Sequence, residues 1–331
     1  MIYVDPACNI NYCSFYLVGL WEVFGKKNVK FTSKYFKSLH YRVDSHCLAF
    51  IVDGKKYIID YADSNQIFYA DFLEWADIYG KVNYNPKYLP KKYKDKIKPI
   101  SPNFGIANFG KNKWEALYHC LRSYIKCHNR LDYGFRAFLS PYLWLYKRYR
   151  LDMSPQKSAV CSKKIFMVSR WWKGQPWVNE ARINFIRACR RLEKAGHIEF
   201  VGGMVPDTEV NDCPKDVLMN KEIPFDEYFA HLKDSLLVFN TPAYHHCHGW
   251  KLPEYLAMGK IILSTPFENE LPVPMEHEKN IYFTGTSEDE IYQSLLKINS
   301  DKELQQRLQE DTVKYWHDYA SPSATIKTFM L

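Results

Sequence analysis

The second half of this sequence alternates short apolar runs with amphipathic stretches, and that alternation most constrains the fold. The apolar runs have the length of buried strands and cover residues 164–169, 198–201, 236–240, 260–264 and 281–284. The stretches between them have helical periodicity and cover residues 179–195, 225–234, 252–258 and 287–298. This order predicts an α/β, doubly wound parallel sheet, whose ligands bind at the carboxyl ends of the strands.

The first half is less regular. A strand at residues 2–4 and a helix at 11–24 are expected, followed by helical stretches at 71–79 and 113–127. Two apolar runs, 47–52 and 56–61, are joined by Asp53-Gly54, which is a strong hairpin signal.

The chain is long enough for two cores. Its 331 residues exceed the size of one ordinary core, and residues 151–159 are polar and turn-rich. We therefore expect an N-terminal domain at 1–158 and a C-terminal domain at 159–331.

The charge balance calls for an anionic partner. Lys and Arg total 45 against 37 Asp and Glu, a net charge of +8. No nucleic-acid-binding motif accompanies this charge, so nucleic acid is not expected as a partner. Lys interleaves with aromatic residues at 88–98 and 144–150, a pattern typical of a solvated face or of contact with anionic lipid.

The cysteines and the apolar runs indicate the compartment. Nine scattered cysteines without repeated spacing are typical of reduced thiols in the cytoplasm. No apolar run reaches the ~20 residues of a membrane span, and the apolar run 12–24 lacks the basic flank of a secretory leader. The expected location is cytoplasmic, with a peripheral contact at the inner face of the membrane.

Two segments at predicted strand ends carry candidate ligand contacts. Arg170 and Lys173 follow the first strand of the second half, where two cations suit a pyrophosphate; a solvated loop is the alternative. Gly249, Trp250 and Lys251 begin a helix, whose exposed N–H groups and lysine suit a phosphate. Glu254 lies one turn later and suits a pair of sugar hydroxyls, or simply favours the helix dipole.

The sequence from Gly249 to Ser264, Gly-Trp-Lys-Leu-Pro-Glu-Tyr-Leu-Ala-Met-Gly-Lys-Ile-Ile-Leu-Ser, resembles the donor-site signature of GT-B glycosyltransferases of the bacterial surface-polysaccharide, group 1-like type. The resemblance covers roughly residues 160–320. It implies the GT-B architecture, with two Rossmann-like domains containing parallel sheets and a C-terminal helix, here residues 302–319, that crosses back. By the same resemblance, the domain at 1–158 is on the acceptor side and the domain at 159–331 binds the donor.

The same resemblance implies the ligand and the roles of its contacts. A nucleotide sugar would bind as substrate, with no cofactor and no metal. Glu254 would hold the ribose, and Arg170 with Lys251 would face the diphosphate. Many retaining members carry a second glutamate eight residues before Glu254, where this chain has His246, so the stereochemical outcome stays open.

Catalytic candidates come from both halves. Consecutive His245, His246, Cys247 and His248 cannot easily converge on one metal ion, so a loop that touches the sugar or phosphate is preferred, with His248 as the candidate. Plain loop packing is the alternative. An inverting enzyme also needs a base for the acceptor hydroxyl. Residues just past the predicted strands of the first half are Asp5, Asn9, Asn11, Asp60 and Asp63.

Asp63 is the candidate base among them, and a turn-forming aspartate is the alternative. The expected reaction moves a sugar from a nucleotide-diphosphate sugar to a glycan or lipid-linked glycan acceptor. A nucleotide-sugar epimerase of the same fold and a non-catalytic sugar-nucleotide or glycan-binding protein are the alternatives. A nicotinamide dehydrogenase is disfavoured, because Gly202-Gly203 alone is a weak remnant of a dinucleotide fingerprint.

Overall fold

The computed structural model describes residues 1–107, 112–148, 163–205, 212–219 and 222–331. The chain divides into two compact units. The first contains Met1–Met153, Asn269–Pro274 and His317–Leu331, and the second contains Ser154–Glu268 and Met275–Trp316. The linker predicted at 151–159 lies outside the described residues.

The sheet of the first unit has six strands in the order β2-β1-β3-β4-β5-β6. They are β1 (Ile2–Val4), β2 (Val29–Phe31), β3 (Cys47–Val52), β4 (Lys55–Asp60), β5 (Ile78–Lys81) and β6 (Ile97–Pro99). Strand β3 is antiparallel to β1 and β4, and the other neighbours are parallel. The predicted hairpin is confirmed. Asp53 (φ 48°) and Gly54 (φ 83°) adopt the left-handed conformation that a two-residue hairpin turn requires.

The helices described in the first unit are α1 (Ile10–Phe24), α2 (Ala70–Trp75), α3 (Lys113–Cys127), α4 (Phe135–Leu145) and α10 (Pro322–Met330). Asn9 caps α1, because its side chain accepts from the Asn11 N–H. Helix α10 packs closely on α1 at Gly19, where an added Cβ would lie 2.2 Å from the Pro322 carbonyl oxygen. The absence of a side chain at Gly19 permits this approach.

The strands of the second unit are β7 (Lys164–Arg170), β8 (Glu199–Val205), β9 (Leu237–Asn240), β10 (Ile261–Ser264) and β11 (Tyr282–Phe283). Strand β7 pairs in parallel with β8, and β10 pairs in parallel with both β9 and β11. The Leu236 N–H donates to the Lys164 carbonyl at 2.7 Å, so β9 begins beside β7. The predicted parallel arrangement of this half is confirmed.

The helices described in the second unit are α5 (Pro176–Lys194), α6 (Phe225–Asp234), α7 (Lys251–Ala257), α8 (Glu288–Ser300) and α9 (Lys302–Tyr315). The apolar face of α5 packs on the sheet, where the rings of Phe185 and Phe239 stack with centroids 4.2 Å apart. Among the described helices, none has the length and apolar character needed to cross a bilayer.

Two helix predictions are corrected. The helix expected at 71–79 ends at Trp75, because Ile78 and Tyr79 pair with Tyr57 and Ile58 of β4 instead. The helix expected at 302–319 ends at Tyr315, and a π-helical turn covers Trp316–Ala320. The final helix of the first unit is therefore α10.

Candidate functional site

The loop after β7 carries two exposed cations at the carboxyl end of the strand. Arg170 ends β7 and Lys173 follows it, both exposed. Asn179 fixes the loop on the first turn of α5: its Oδ1 accepts from the Trp172 N–H at 3.0 Å and its Nδ2 donates to the Trp172 carbonyl at 2.8 Å. The structure thus places both predicted cations on an anchored loop.

Arg182 of α5 lies beneath this loop and was not predicted. Its side chain is 5% exposed, Nη1 donates to the Arg170 carbonyl at 3.1 Å, and Nε donates to Thr241 Oγ1 at 3.2 Å. The guanidinium also lies 4.4 Å from the centre of the Trp172 ring. Burial lowers its pKa to about 10, and it forms no ion pair with any carboxylate in the described ranges.

A sequence signal for Arg182 does exist. It lies four residues after Val178 and three before Phe185, both buried on the apolar face of α5. A charge at such a position is unusual, since arginine is almost never fully buried without a partner. The helical periodicity alone could therefore have identified it.

Lys251 begins α7 and reaches under the end of β7. Its Nζ donates to the Val168 carbonyl at 2.7 Å. Burial and, to a lesser extent, the positive charge of Arg182 lower its pKa, Glu254 opposes them, and the result is a pKa of about 7. Two desolvated cations therefore lie close together beneath the carboxyl end of β7. A bound anion would stabilise both.

The other predicted donor contacts surround Lys251. Glu254 is half-buried in the first turn of α7, and its charge raises the pKa of Tyr255 beyond the effect of burial. Gly249 precedes the helix, and an added Cβ there would lie 3.2 Å from the Cβ of Ala243. Trp250 is partly buried at the N-cap. The roles of these residues toward a nucleotide stay predictions.

The histidine loop is strained and packed. His245 (φ 51°) and His246 (φ 60°) are consecutive left-handed residues, a conformation that costs energy outside glycine. The His246 ring stacks on Trp177 with centroids 3.8 Å apart, and its Nδ1 lies 2.6 Å from Glu268 Oε1. His248 is buried against the edge of Phe267, which favours packing, and its catalytic role stays a prediction.

The described part of the chain contains no group of three or more His, Cys, Asp or Glu side chains placed to hold a metal.

The first unit contains a cavity of about 470 Å³ between the start of α1 and helix α4. Its lining combines amide groups of Asn9 and Asn11 with the rings of Tyr12 and Trp144 and with Arg148. Asn11 is buried, and its Oδ1 has no hydrogen-bond partner within the described residues. Amides beside aromatic rings are suited to sugar hydroxyls and sugar faces.

Asp63 lies close to this cavity. Burial raises the pKa of Tyr12, the charge of Asp63 raises it further, and that of Arg148 lowers it. His46, which was not predicted, lies beside the same group with its ring 5.4 Å from that of Tyr12. Burial lowers the pKa of His46, and the charge of Asp63 opposes this. No motif marks His46 in the sequence.

The two other aspartates considered as bases are structural. Both Asp5 carboxylate oxygens accept from Arg130, at 2.5 and 2.9 Å. Asp60 accepts from Lys81 Nζ at 2.9 Å and from the Tyr79 hydroxyl at 2.7 Å. Both aspartates are fully buried, so these ion pairs fix strand ends and are closed to substrate.

No family model and no curated protein matches this chain. It is similar to the C-terminal domain of a glycosyl transferase group 1 family protein (LpcC) from Francisella tularensis, with 15% identity over 46% of this chain and 84% of that domain and a TM-score of 0.35. It is also similar to a glycosyltransferase from Rickettsia africae, with 13% identity over 81% of this chain and a TM-score of 0.42. The match spans 66% of the Rickettsia protein's length.

A third similar structure is a putative UDP-N-acetylglucosamine 2-epimerase from Listeria monocytogenes, with 14% identity over 78% of this chain and 67% of that one and a TM-score of 0.37. At these identities the similarity concerns the fold alone.

The topology agrees with the expected architecture. Both units are α/β, parallel pairing dominates their sheets, and the segment after α9 belongs to the first unit. This arrangement is the one that the resemblance to GT-B glycosyltransferases predicted. Arg182, Lys251 and Glu254 lie in the second unit, and the Asn11 cavity, Asp63 and His46 lie in the first.

Proposed function

We propose that this chain is a glycosyltransferase whose second unit binds a nucleotide-diphosphate sugar. The observation that carries the proposal is a pair of desolvated cations at the carboxyl end of β7, the buried Arg182 and the partly buried Lys251. Buried charge is costly unless it is compensated, and a diphosphate supplies two negative charges of the required sign. Arg170 and Lys173 add exposed cations at the rim of the same site.

Helix α5 contributes to the same electrostatics. Its first turn contains no acidic residue, and no side chain caps it. Its unsatisfied N–H groups therefore add positive potential beside the loop that carries Arg170 and Lys173. These groups stabilise charge as it develops on the leaving diphosphate, without a metal. Glu254 is the proposed contact to the ribose hydroxyls.

The acceptor is proposed to bind in the cavity of the first unit. Asn9 and Asn11 bond its hydroxyls and Trp144 packs on a sugar face, which fits a glycan or a lipid-linked glycan. Asp63 is the proposed base for the acceptor hydroxyl. His46 lies near it and is also a residue type that can act as a general base. The reaction is proposed to take place in the cytoplasm, as part of surface-polysaccharide synthesis. The eight cysteines in the described residues are buried and form no disulfide with one another, which supports a reducing compartment.

Donor binding is tested first by thermal unfolding with UDP, GDP and dTDP sugars. A ligand at 100 times its dissociation constant stabilises the folded state by ~2.7 kcal/mol. We expect one nucleotide to do so and Lys251→Met to reduce the effect without removing it, since Arg182 remains in place. Lys194→Met, at the exposed end of α5, is the matched control. The donor site is wrong if no nucleotide stabilises the protein, or if Lys251→Met responds like the wild type.

Turnover then separates the three functions. A transferase releases nucleoside diphosphate only when acceptor is present, and excess chelator leaves its rate unchanged. Conversion of the donor sugar without acceptor would identify an epimerase instead. Binding without any turnover would identify a sugar-nucleotide-binding protein. Asp63→Asn is expected to lower kcat by ~10²–10⁴ with donor affinity unchanged.

A further inference from the structure

Helix α3 presents an apolar stripe to solvent. Trp114, Tyr118, Leu121 and Ile125 are spaced by four, three and four residues, which places them on one face. Their exposed fractions are 76, 55, 42 and 70%. Scattered exposed apolar residues are ordinary, but an aligned set marks a contact surface.

The stripe is not the face by which α3 packs in its own unit. The buried residues of α3 are Ala116, Cys120, Ser123 and Cys127, which lie on the other side of the helix. Tyr124 packs edge-on against Phe135 of α4 at 5.1 Å. Helix α3 is thus apolar on two faces, and the part of the chain that the structure describes covers only one of them.

Cations flank the stripe. Helix α3 contains one acidic residue, Glu115, and three cations, Lys113, Arg122 and Lys126. Lys26 adds to them, since its charge lowers the pKa of His119 on α3 after the larger effect of burial. The Arg122 guanidinium extends over the Tyr118 ring, 5.6 Å from its centre, so positive charge lies at the edge of the apolar stripe itself.

We propose that the α3 stripe docks on an anionic lipid bilayer, with its apolar side chains at the level of the headgroups. An interfacial helix combines an aromatic and aliphatic face with flanking Lys and Arg, as this one does. A second copy of the chain fits less well. A stable interface buries ~800 Å² per partner, whereas four side chains along ~16 Å of helix offer much less, and a symmetric partner would oppose cation to cation.

This contact differs from the basic segments considered in the sequence. Residues 88–98 include Lys91 and Lys92, which lie in a short 3₁₀ turn without an aligned apolar face. We choose the surface of α3 because its cations accompany an aligned apolar stripe, whereas basic residues alone would not distinguish it from residues 88–98. The inference does not depend on the sugar-transfer proposal, because α3 contributes no residue to the donor site.

The test is co-sedimentation of the full chain with vesicles of phosphatidylcholine, with and without phosphatidylglycerol. The wild type is expected to bind the anionic vesicles at ~0.1 M salt and to be released at ~1 M salt.

Three double variants test which side chains are responsible. Trp114→Ser with Ile125→Ser should lower partitioning into the vesicles at least ~10-fold. Lys113→Gln with Arg122→Gln should lower it ~5-fold for each cation. Lys91→Gln with Lys92→Gln is the matched charge control and should bind like the wild type.

The proposal is overturned if the wild type ignores anionic vesicles, if the stripe variant binds as well as the wild type, or if the Lys91 and Lys92 control loses binding equally. A dimer in sedimentation that the stripe variant dissociates would assign the stripe to self-association and overturn it too. Unchanged thermal unfolding of both α3 variants shows that the fold is intact. Unchanged nucleotide binding separates this result from the donor site.

Discussion

Arg182 and Lys251 bring two positive charges out of water beneath the end of β7, with Glu254 as the carboxylate that opposes them. Such an arrangement lowers the stability of the ligand-free protein, because desolvation exceeds the attraction available. Residues that reduce stability in this way are expected where binding requires them. The proposed donor site therefore has an electrostatic cost to the ligand-free protein, which binding of an anion would offset.

Lys251→Met should stabilise the ligand-free protein by ~1 kcal/mol or more, since it removes the buried charge and keeps the volume. The folded-state pKa near 7 is below that of an unfolded lysine, ~10.4. The unfolded state therefore binds more protons between these values, and wild-type stability rises with pH above 7 relative to the variant. Chemical denaturation at pH 6 and 8 measures both effects. A variant less stable than the wild type at pH 6 would contradict this prediction.

Affinity for the donor should fall as pH rises through 7. An anionic ligand binds the protonated form of Lys251 and raises its pKa, so binding takes up a proton above pH 7. Calorimetry from pH 6 to pH 8.5 with a nucleotide sugar, whose diphosphate does not titrate there, is expected to show up to ~10-fold weaker binding per pH unit. Lys251→Met should show a flat profile, and an equally steep profile in that variant would assign the titration elsewhere.

At the level of single residues, the strand-end rule and a local motif mark Arg170, Lys251 and Glu254 in the sequence, and their ligand contacts stay predictions. His46 was not predicted, because no motif marks it. Arg182 was not predicted either: the periodicity of α5 indicates that it is buried, but its contacts with Arg170 and Thr241 appear only in the folded chain. Asp5 and Asp60 were considered for chemistry, yet their partners Arg130 and Lys81 lie 125 and 21 residues away in the chain. Only the folded chain shows that these aspartates are engaged.

Among the elements, α5 fixes the β7–α5 loop through one side chain. Asn179 forms both a donated and an accepted bond with the backbone of Trp172. Trp172 in turn lies over the Arg182 guanidinium. The geometry of the β7–α5 loop therefore depends on a residue inside the helix.

Asn179→Ala should destabilise the protein by ~1–3 kcal/mol and weaken nucleotide binding, because the loop loses both bonds and the Trp172 N–H loses its side-chain acceptor. Thermal unfolding and a nucleotide titration measure the two effects. Asn184→Ala is the control on the same helix, where the exposed amide donates only to the Thr286 carbonyl. Equal losses in the two variants would show that the Trp172 contact has no special role.

The elements best predicted were those with local signals. The Asp53-Gly54 turn and the strand–helix alternation after residue 163 can each be predicted from residues that are neighbours in the sequence. Strands β2, β5 and β6 were missed, since three or four residues each give little periodicity. Their strand character comes from pairing, as when Ile78 aligns with Tyr57. Pairing partners distant in sequence override a weak helical pattern.

At the scale of the whole molecule, the segment after α9 completes the first unit. Phe329 of α10 is buried, its ring is 5.9 Å from that of Tyr57, and an added Cβ at Gly80 would lie 2.7 Å from it. The Ser101 hydroxyl also donates to the Tyr319 carbonyl at 3.1 Å. The resemblance predicted a helix that crosses back, although residues 302–319 do not form it as one piece.

Phe329→Ala should destabilise the first unit by ~3–5 kcal/mol, the cost of emptying a buried aromatic site. Leu331→Ala, two residues later and 96% exposed, should change stability by less than ~0.5 kcal/mol. Urea denaturation followed by circular dichroism compares them. Similar midpoints for the two variants would mean that α10 contributes little to the unit it joins.

The return of α10 to α1 also sets an order of events during synthesis. Residues 317–331 leave the ribosome only after the whole second unit has been translated, yet Gly19 of α1 is shaped to receive them. Domains usually fold in the order in which they emerge. Here the surface around Gly19 and Gly80 in the first unit stays uncovered until α10 has been translated. During the translation of the second unit, we therefore expect the nascent chain to expose an apolar surface to which a chaperone can bind.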